Sequence, residues 1–101
     1  MTTAANDARI PVAVLGATGA VGQRMVSLLT GHPTLRLAEV AASERSLGKT
    51  YVDATRWILP GDVPGEARDL VVGPVDGPLS SRLVLSALDA ALRVRLGEEL
   101  R

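Results

Sequence analysis

The chain has 101 residues, with 11 basic and 11 acidic side chains and a formal charge of zero. That balance gives no electrostatic footprint for a nucleic acid or an anionic membrane surface, and the absence of cysteine excludes a disulfide scaffold, a zinc–thiolate site and a thiolate nucleophile. Hydrophobic residues make up 47% of the chain, a globular proportion, yet no apolar run reaches the roughly 18 residues of a membrane span.

Residues 1–8, MTTAANDA, are small and polar and have no basic start or apolar centre of a secretory signal. They are expected to form a disordered lead-in to one domain over residues 9–101, in a cytoplasmic protein. With no Phe, one Trp and one Tyr, the core must be aliphatic. Ile10 to Leu15 (IPVAVL) is a short continuous apolar run that stops at Gly16, the pattern of a strand buried on both faces of a parallel sheet. The glycine-rich segment after it leads into a helix of about ten residues, with Val21, Met25, Leu28 and Leu29 on its apolar face and Gln23, Arg24 and Ser27 opposite. Gly31 fits the left-handed cap position, and Pro33 prevents continuation. His32, the single histidine, is expected to serve this helix end as a surface cation that suits the dipole.

Leu35 to Ala42 (LRLAEVAA) partly alternates, which predicts a second strand with Leu35, Leu37, Glu39 and Ala41 on one side. Strand, helix and strand form a βαβ unit. Residues 43–65 read as a long polar connection with one helical turn around Tyr51–Trp57, and with Trp57 packed over the loop. Leu70 to Val75 predicts a short third strand and Arg82 to Leu88 a fourth. Asp89 caps a final helix with Leu88, Leu92, Leu96 and Leu100 stacked along it. The fold class is α/β: a partial Rossmann-like, doubly wound parallel sheet of about four strands, incomplete against the six of the whole architecture. The free edge of the last strand predicts self-association.

The chemistry is carried by Gly16, Gly19 and Gly22 in G-A-T-G-A-V-G. Gly16 would make the tight turn off the strand, Gly19 would let a phosphate approach the backbone, and Gly22 would let the helix pack on the strand. The amides of Gly19, Ala20 and Val21, with the Thr18 hydroxyl, would then face a diphosphate at the positive end of the helix. A glycine-rich turn without a ligand uses the same residues; the strand before, helix after and second strand beyond favour the nucleotide. The end of the second strand carries no Asp or Glu placed for a ribose 2′-hydroxyl except Glu44. Ser43, Arg45 and Ser46 suit a 2′-phosphate, with Lys49 nearby, which predicts NADP over NAD. Asp53, Asp62 and Asp69 are too scattered for a metal, and no nucleophile–base pair can be assembled. A short-chain dehydrogenase would supply Tyr-x-x-x-Lys, but Tyr51 is followed four residues later by Thr55.

The run VAVLGATGAVGQR (residues 12–24), with Leu28-Leu29, His32-Pro33, EVAASERS (39–46), Gly48-Lys49, Trp57, Leu59-Pro60 and Ser86-Ala87-Leu88-Asp89, closely resembles the N-terminal segment of the aspartate-semialdehyde dehydrogenase family, in the form found in archaea and fungi. The resemblance spans residues 10 to about 92 and is looser over RVRLGEELR at the end. It implies NADPH-dependent reduction of β-aspartyl phosphate to aspartate semialdehyde, a step toward lysine, methionine and threonine. It implies that Thr18 to Val21 hold the diphosphate, that Ser43, Arg45 and Ser46 surround the adenosine phosphate, and that Ser86 to Leu88 lie near the cofactor ribose. It also implies that the family's cysteine nucleophile, histidine base and substrate-binding arginines lie beyond residue 101, so that this stretch alone is inactive. Two alternatives share these residues: the front of a malonyl-CoA reductase, and a non-catalytic nucleotide-binding remnant.

Overall fold

A computed structural model describes residues 8–88. The expected lead-in falls outside the described residues except for Ala8, and the helix expected from Asp89 onward lies outside them entirely. Strand β1 (Ile10–Leu15) runs into helix α1 (Ala20–Leu29) and then strand β2 (Leu35–Ala42). A 3-10 turn at Glu44–Ser46 follows, then two single-turn helices, α2 (Tyr51–Ala54) and α3 (Gly65–Arg68), and strands β3 (Gly73–Pro74) and β4 (Leu83–Ser86). The strands form one sheet in the order β3-β2-β1-β4, with every pairing parallel. β1 is therefore central, as its apolar run predicts: Val12 to Leu15 are all buried.

Helix α1 ends as expected, with Gly31 at φ 71° and the Gly31 N–H donating to the Glu66 carboxylate at 2.8 Å. Its buried face is not the expected one. Gly22, Gln23, Val26 and Leu29 are buried, whereas Val21 is 59% and Leu28 68% exposed. Two stripes compete on this helix, Gly22/Val26/Leu29 and Val21/Met25/Leu28, about 100° apart. The first wins because only a glycine fits against the turn. A Cβ on Gly22 would sit 2.1 Å from the Gly16 carbonyl oxygen and 2.6 Å from the Ala17 Cα.

The alternation of β2 also changes partway. Its register against β1 slips between Val12 and Ala13, so that Val12 pairs with Leu37 but Ala13 pairs with Glu39. The skipped Ala38 is a bulge, and beyond it the faces exchange. Leu35 and Leu37 therefore share the α1 side with Val40 and Ala42, while Ala41 packs on the opposite side with Leu15 and Leu88. The expected grouping of Leu35 and Leu37 with Glu39 and Ala41 is corrected by this single residue.

The third strand is shorter than Leu70 to Val75 because its backbone is already engaged elsewhere. The Leu70 carbonyl accepts from Tyr51 N at 2.7 Å, and Val72 exchanges bonds with Lys49 and Gly48 at 2.8 and 3.0 Å. Pairing with β2 starts only at Gly73, and Pro74 has no N–H to extend it. The main core lies between the sheet and the α1 side, closed by Tyr51, Val63, Ala67 and Val72, with Trp57 packed against it. The Trp57 ring meets Tyr51 edge-on at 6.5 Å, the packing role expected of it. The His32 Nδ1 accepts the N–H groups of Thr34 (3.1 Å) and Leu35 (3.0 Å), so the ring organises the entry to β2, a structural role the helix-end expectation did not include.

Candidate functional site

The turn between β1 and α1 is closed on its inner side by its own chain. The N–H groups of Gly16 and Ala17 both donate to the Ala41 carbonyl, at 2.8 and 3.1 Å. Gly16 holds φ 74°, and a Cβ there would lie 3.0 Å from the Ala87 carbonyl group, so this position needs glycine for both conformation and space. The Tyr51 hydroxyl, on a fully buried ring, donates to the Ala17 carbonyl at 2.7 Å. Burial pushes its pKa up to about 12, with the Thr55 hydroxyl acting in the opposite direction.

Gln23 makes a second tie. Its Nε2 donates to the Thr18 carbonyl (3.0 Å) and to the Arg56 carbonyl (2.9 Å), and its Oε1 accepts from Ile58 N (2.8 Å). Expected on the solvent side of α1, Gln23 is instead 2% exposed. The burial is tolerated because all of these polar bonds are made.

The outer side of the same turn is open. Gly19 is the N-cap of α1 and supplies no side-chain cap, and no acidic residue stands in the first helical turn. The first helical N–H to find a partner in the turn is that of Gln23, to Gly19 O at 2.8 Å. Helix geometry therefore leaves the N–H groups of Ala20, Val21 and Gly22 without an intrahelical acceptor. The Gly19 amide itself closes on Gly16 O at 3.3 Å, so it is not one of the open donors, contrary to expectation. A Cβ on Gly19 would meet nothing nearer than Gly16 O at 3.7 Å. The protein's own packing does not require a glycine there, whereas it does at Gly16 and Gly22.

A cleft of about 340 Å³ lies against this open side, lined by Gly16, Thr18, Gly19, Ala42, Ser43, Val75, Ala87 and Leu88. It sits at the C-terminal ends of β1, β2 and β4, where the strand order reverses direction. Of the expected residues, Gly16, Thr18, Gly19, Ser43 and Leu88 line it directly. Ala20 and Val21 are exposed at the adjoining helix end, and Gly22 is buried beneath the turn. Ser86 stands just outside the lining, its hydroxyl 3.4 Å from Leu88 N. Arg45 is exposed on the 3-10 turn beyond Ser43, and Ser46, only 7% exposed, faces inward from that turn. Neither Arg45 nor Ser46 lines the cleft. Ala87, inside the expected Ser86 to Leu88 stretch, lines it too, as do Ala42 and Val75, which no site expectation includes.

On the far face of the sheet, one Glu39 carboxylate oxygen accepts three bonds: from the Ser81 hydroxyl (2.6 Å), Ser81 N (2.7 Å) and Ser80 N (3.0 Å). The Ser81 hydroxyl bond leads the causes that hold its pKa below the usual carboxylate value. This ties down the 75–81 segment, whose Val75 reaches the cleft. Among the described residues no three His, Asp or Glu side chains converge on a metal position, and no helix is long and apolar enough to cross a membrane.

A parallel sheet whose central strand passes through a glycine turn into an uncapped helix, with a cleft at the strand ends where the order reverses, defines a doubly wound nucleotide-binding α/β domain. The chain belongs to the semialdehyde dehydrogenase family, NAD-binding domain, whose model matches residues 11–101. It is 43% identical over 81 residues to the aspartate-semialdehyde dehydrogenase of Archaeoglobus fulgidus, covering 79% of this chain and 24% of that protein. It is 44% identical over 86 residues to that of Cryptococcus neoformans var. neoformans, covering 81% and 24%. The crystal structure of aspartate-semialdehyde dehydrogenase with NADP from Candida albicans superimposes with a TM-score of 0.78 at 38% identity, covering 89% of this chain and 26% of that one. The chain thus spans about a quarter of the length of the relatives it matches.

Proposed function

We propose that this chain is the NADP-binding part of an aspartate-semialdehyde dehydrogenase, serving the NADPH-dependent reduction of β-aspartyl phosphate in cytoplasmic amino-acid biosynthesis. The observation that carries the reading is the uncapped N-terminus of α1 opening on a cleft at the strand ends, beside a glycine that internal packing does not require. The family match and the NADP-bound relative of the same fold support it.

In this reading the N–H groups of Thr18, Ala20 and Val21 and the Thr18 hydroxyl bind the diphosphate. Gly16 and Gly22 shape the turn, and Gly19 gives the phosphates room. Ser43 and Arg45 take the adenosine 2′-phosphate, with Ser46 bracing their turn from inside rather than touching the ligand. Ser86 and Leu88 border the ribose. Bound NADPH would supply a hydride; no described residue takes a catalytic role. Among the described residues β4 is an edge strand with Leu83, Val84 and Leu85 exposed. That edge is the surface through which the domain associates with further protein, including a second copy.

Calorimetric titration of the full chain with NADP and with NAD tests the proposal. Saturable binding that prefers NADP, with the preference reduced about tenfold in Arg45→Ala, is expected. No binding of either nucleotide, or a preference for NAD, would overturn it.

A further inference from the structure

Gln23 and Tyr51 lie behind the glycine turn, away from the cleft, and each spends a bond on one of its carbonyl groups. A trans peptide is planar, so its C=O and N–H point in opposite directions. With the Ala17 carbonyl held inward on Tyr51 Oη at 2.7 Å, the N–H of Thr18 must face outward, and Thr18 lines the cleft. Among the described residues that N–H makes no hydrogen bond within the turn. With the Thr18 carbonyl held on Gln23 Nε2, a second oxygen is kept from turning toward an incoming anion. Without these ties either peptide could rotate and present an oxygen where a diphosphate needs a donor.

The two ties also reach distant parts of the chain. Tyr51 opens the short helix that follows residues 43–49, and Gln23 binds the loop backbone at Arg56 and Ile58. The glycine turn and the segment 51–58 are thereby fixed against each other.

We propose that Tyr51 and Gln23 are positioning residues of the dinucleotide site: Tyr51 orients the Ala17–Thr18 peptide so that the Thr18 N–H faces the cofactor diphosphate, and Gln23 holds the Thr18 carbonyl oxygen away from it. This rests on the nucleotide-binding reading above and adds to it the residues that orient the donors. Neither side chain touches the ligand.

The test is binding of NADP and of adenosine 2′-monophosphate, which has the 2′-phosphate but no diphosphate, to the full chain and to Tyr51→Phe and Gln23→Glu. Tyr51→Phe keeps the buried ring and removes the donor. Gln23→Glu keeps the acceptor for Ile58 N and removes the amide donor to the Thr18 and Arg56 carbonyls. Each variant is expected to bind NADP about tenfold more weakly while binding the monophosphate within about twofold of wild type. A merely structural role would lower stability and weaken both ligands alike, and that result overturns the proposal. So does a folded variant that binds NADP as tightly as wild type. If neither variant folds, the wild-type Thr18 amide resonance decides: it must shift on addition of inorganic diphosphate, and an unmoved resonance overturns the proposal. A wild-type chain that binds neither nucleotide overturns the proposed function as well, whereas wild-type binding with undiminished variants overturns the positioning role alone.

Discussion

The inner and outer sides of the Gly16–Gly22 turn are built from the same seven residues and behave oppositely. On the inner side four backbone groups of the turn have partners in the protein: the Ala17 and Thr18 carbonyls on Tyr51 and Gln23, and the Gly16 and Ala17 amides on Ala41. There the backbone is packed so closely that Gly22 has no room for a methyl group. On the outer side the helix end is uncapped, and Gly19 has room that the fold does not use. The inner side uses its bonds for rigidity, and the outer side leaves donors open, which the proposed function assigns to a diphosphate. Preorganised donors are effective because they need not be rearranged when the anion arrives.

The sharpest way to break this contrast is to place a methyl group on each side. Gly22→Ala puts a carbon 2.1 Å from a backbone oxygen that cannot swing aside. The helix propensity gained over glycine, about 1 kcal/mol, is outweighed by overpacking. A loss of at least about 3 kcal/mol is expected, seen as a lower chemical-denaturation midpoint or failure to fold.

The next effect comes from pH on the inner side. A buried tyrosine with its pKa raised to about 12 is favoured in its protonated form by the folded state. Its contribution is complete below the ordinary tyrosine pKa near 10 and is lost as pH rises through about 12, a span of roughly 2–3 kcal/mol. Tyr51→Phe should remove that alkaline slope from the pH dependence of the melting temperature. A slope unchanged in the variant would mean that another group governs it.

Gly19→Ala should leave stability within about 1 kcal/mol, since the Cβ would meet only ordinary contacts at 3.7 Å. Nucleotide binding should fall at least about tenfold, because in the proposed site the methyl group would occupy the phosphate's approach. Equal tolerance of alanine at Gly19 and Gly22 would remove the distinction between the two sides.

The smallest effect belongs to the far face. The Glu39 carboxyl has a lowered pKa, so its contribution is present above the ordinary carboxylate value and is lost as pH falls through the lowered one. The group is near the surface, and solvent screening limits the effect to under about 1 kcal/mol. Glu39→Gln should flatten the acid limb of the stability curve without changing nucleotide binding at neutral pH.

How much of this was legible in the sequence depended on the range of the interaction. β1 is written in IPVAVL and the end of α1 in Gly31, because local composition decides both. The glycine spacing pointed to the turn that borders the cleft, and the α/β class followed from the order of elements. The buried face of α1 was not legible, because two apolar stripes fit the same periodicity and the choice is made by Gly22 against a backbone oxygen. The bulge at Ala38 leaves no mark in the residue types around it. The third strand lost Leu70 to Val72 to bonds with Gly48, Lys49 and Tyr51. Tyr51 and Gln23 reach partners 34 and 33 residues away, at Ala17 and Arg56, beyond anything that periodicity can register.

The measurement that bears most directly on the contrast is a titration of the isotopically labelled full chain with NADP, following backbone amide resonances across the turn. The outer donors, Thr18, Ala20 and Val21, should shift strongly and saturate together, while the inner amides of Gly16, Ala17 and Gln23 keep their positions. Shifts confined to the inner amides, or no saturable shift anywhere in the turn, would contradict the account.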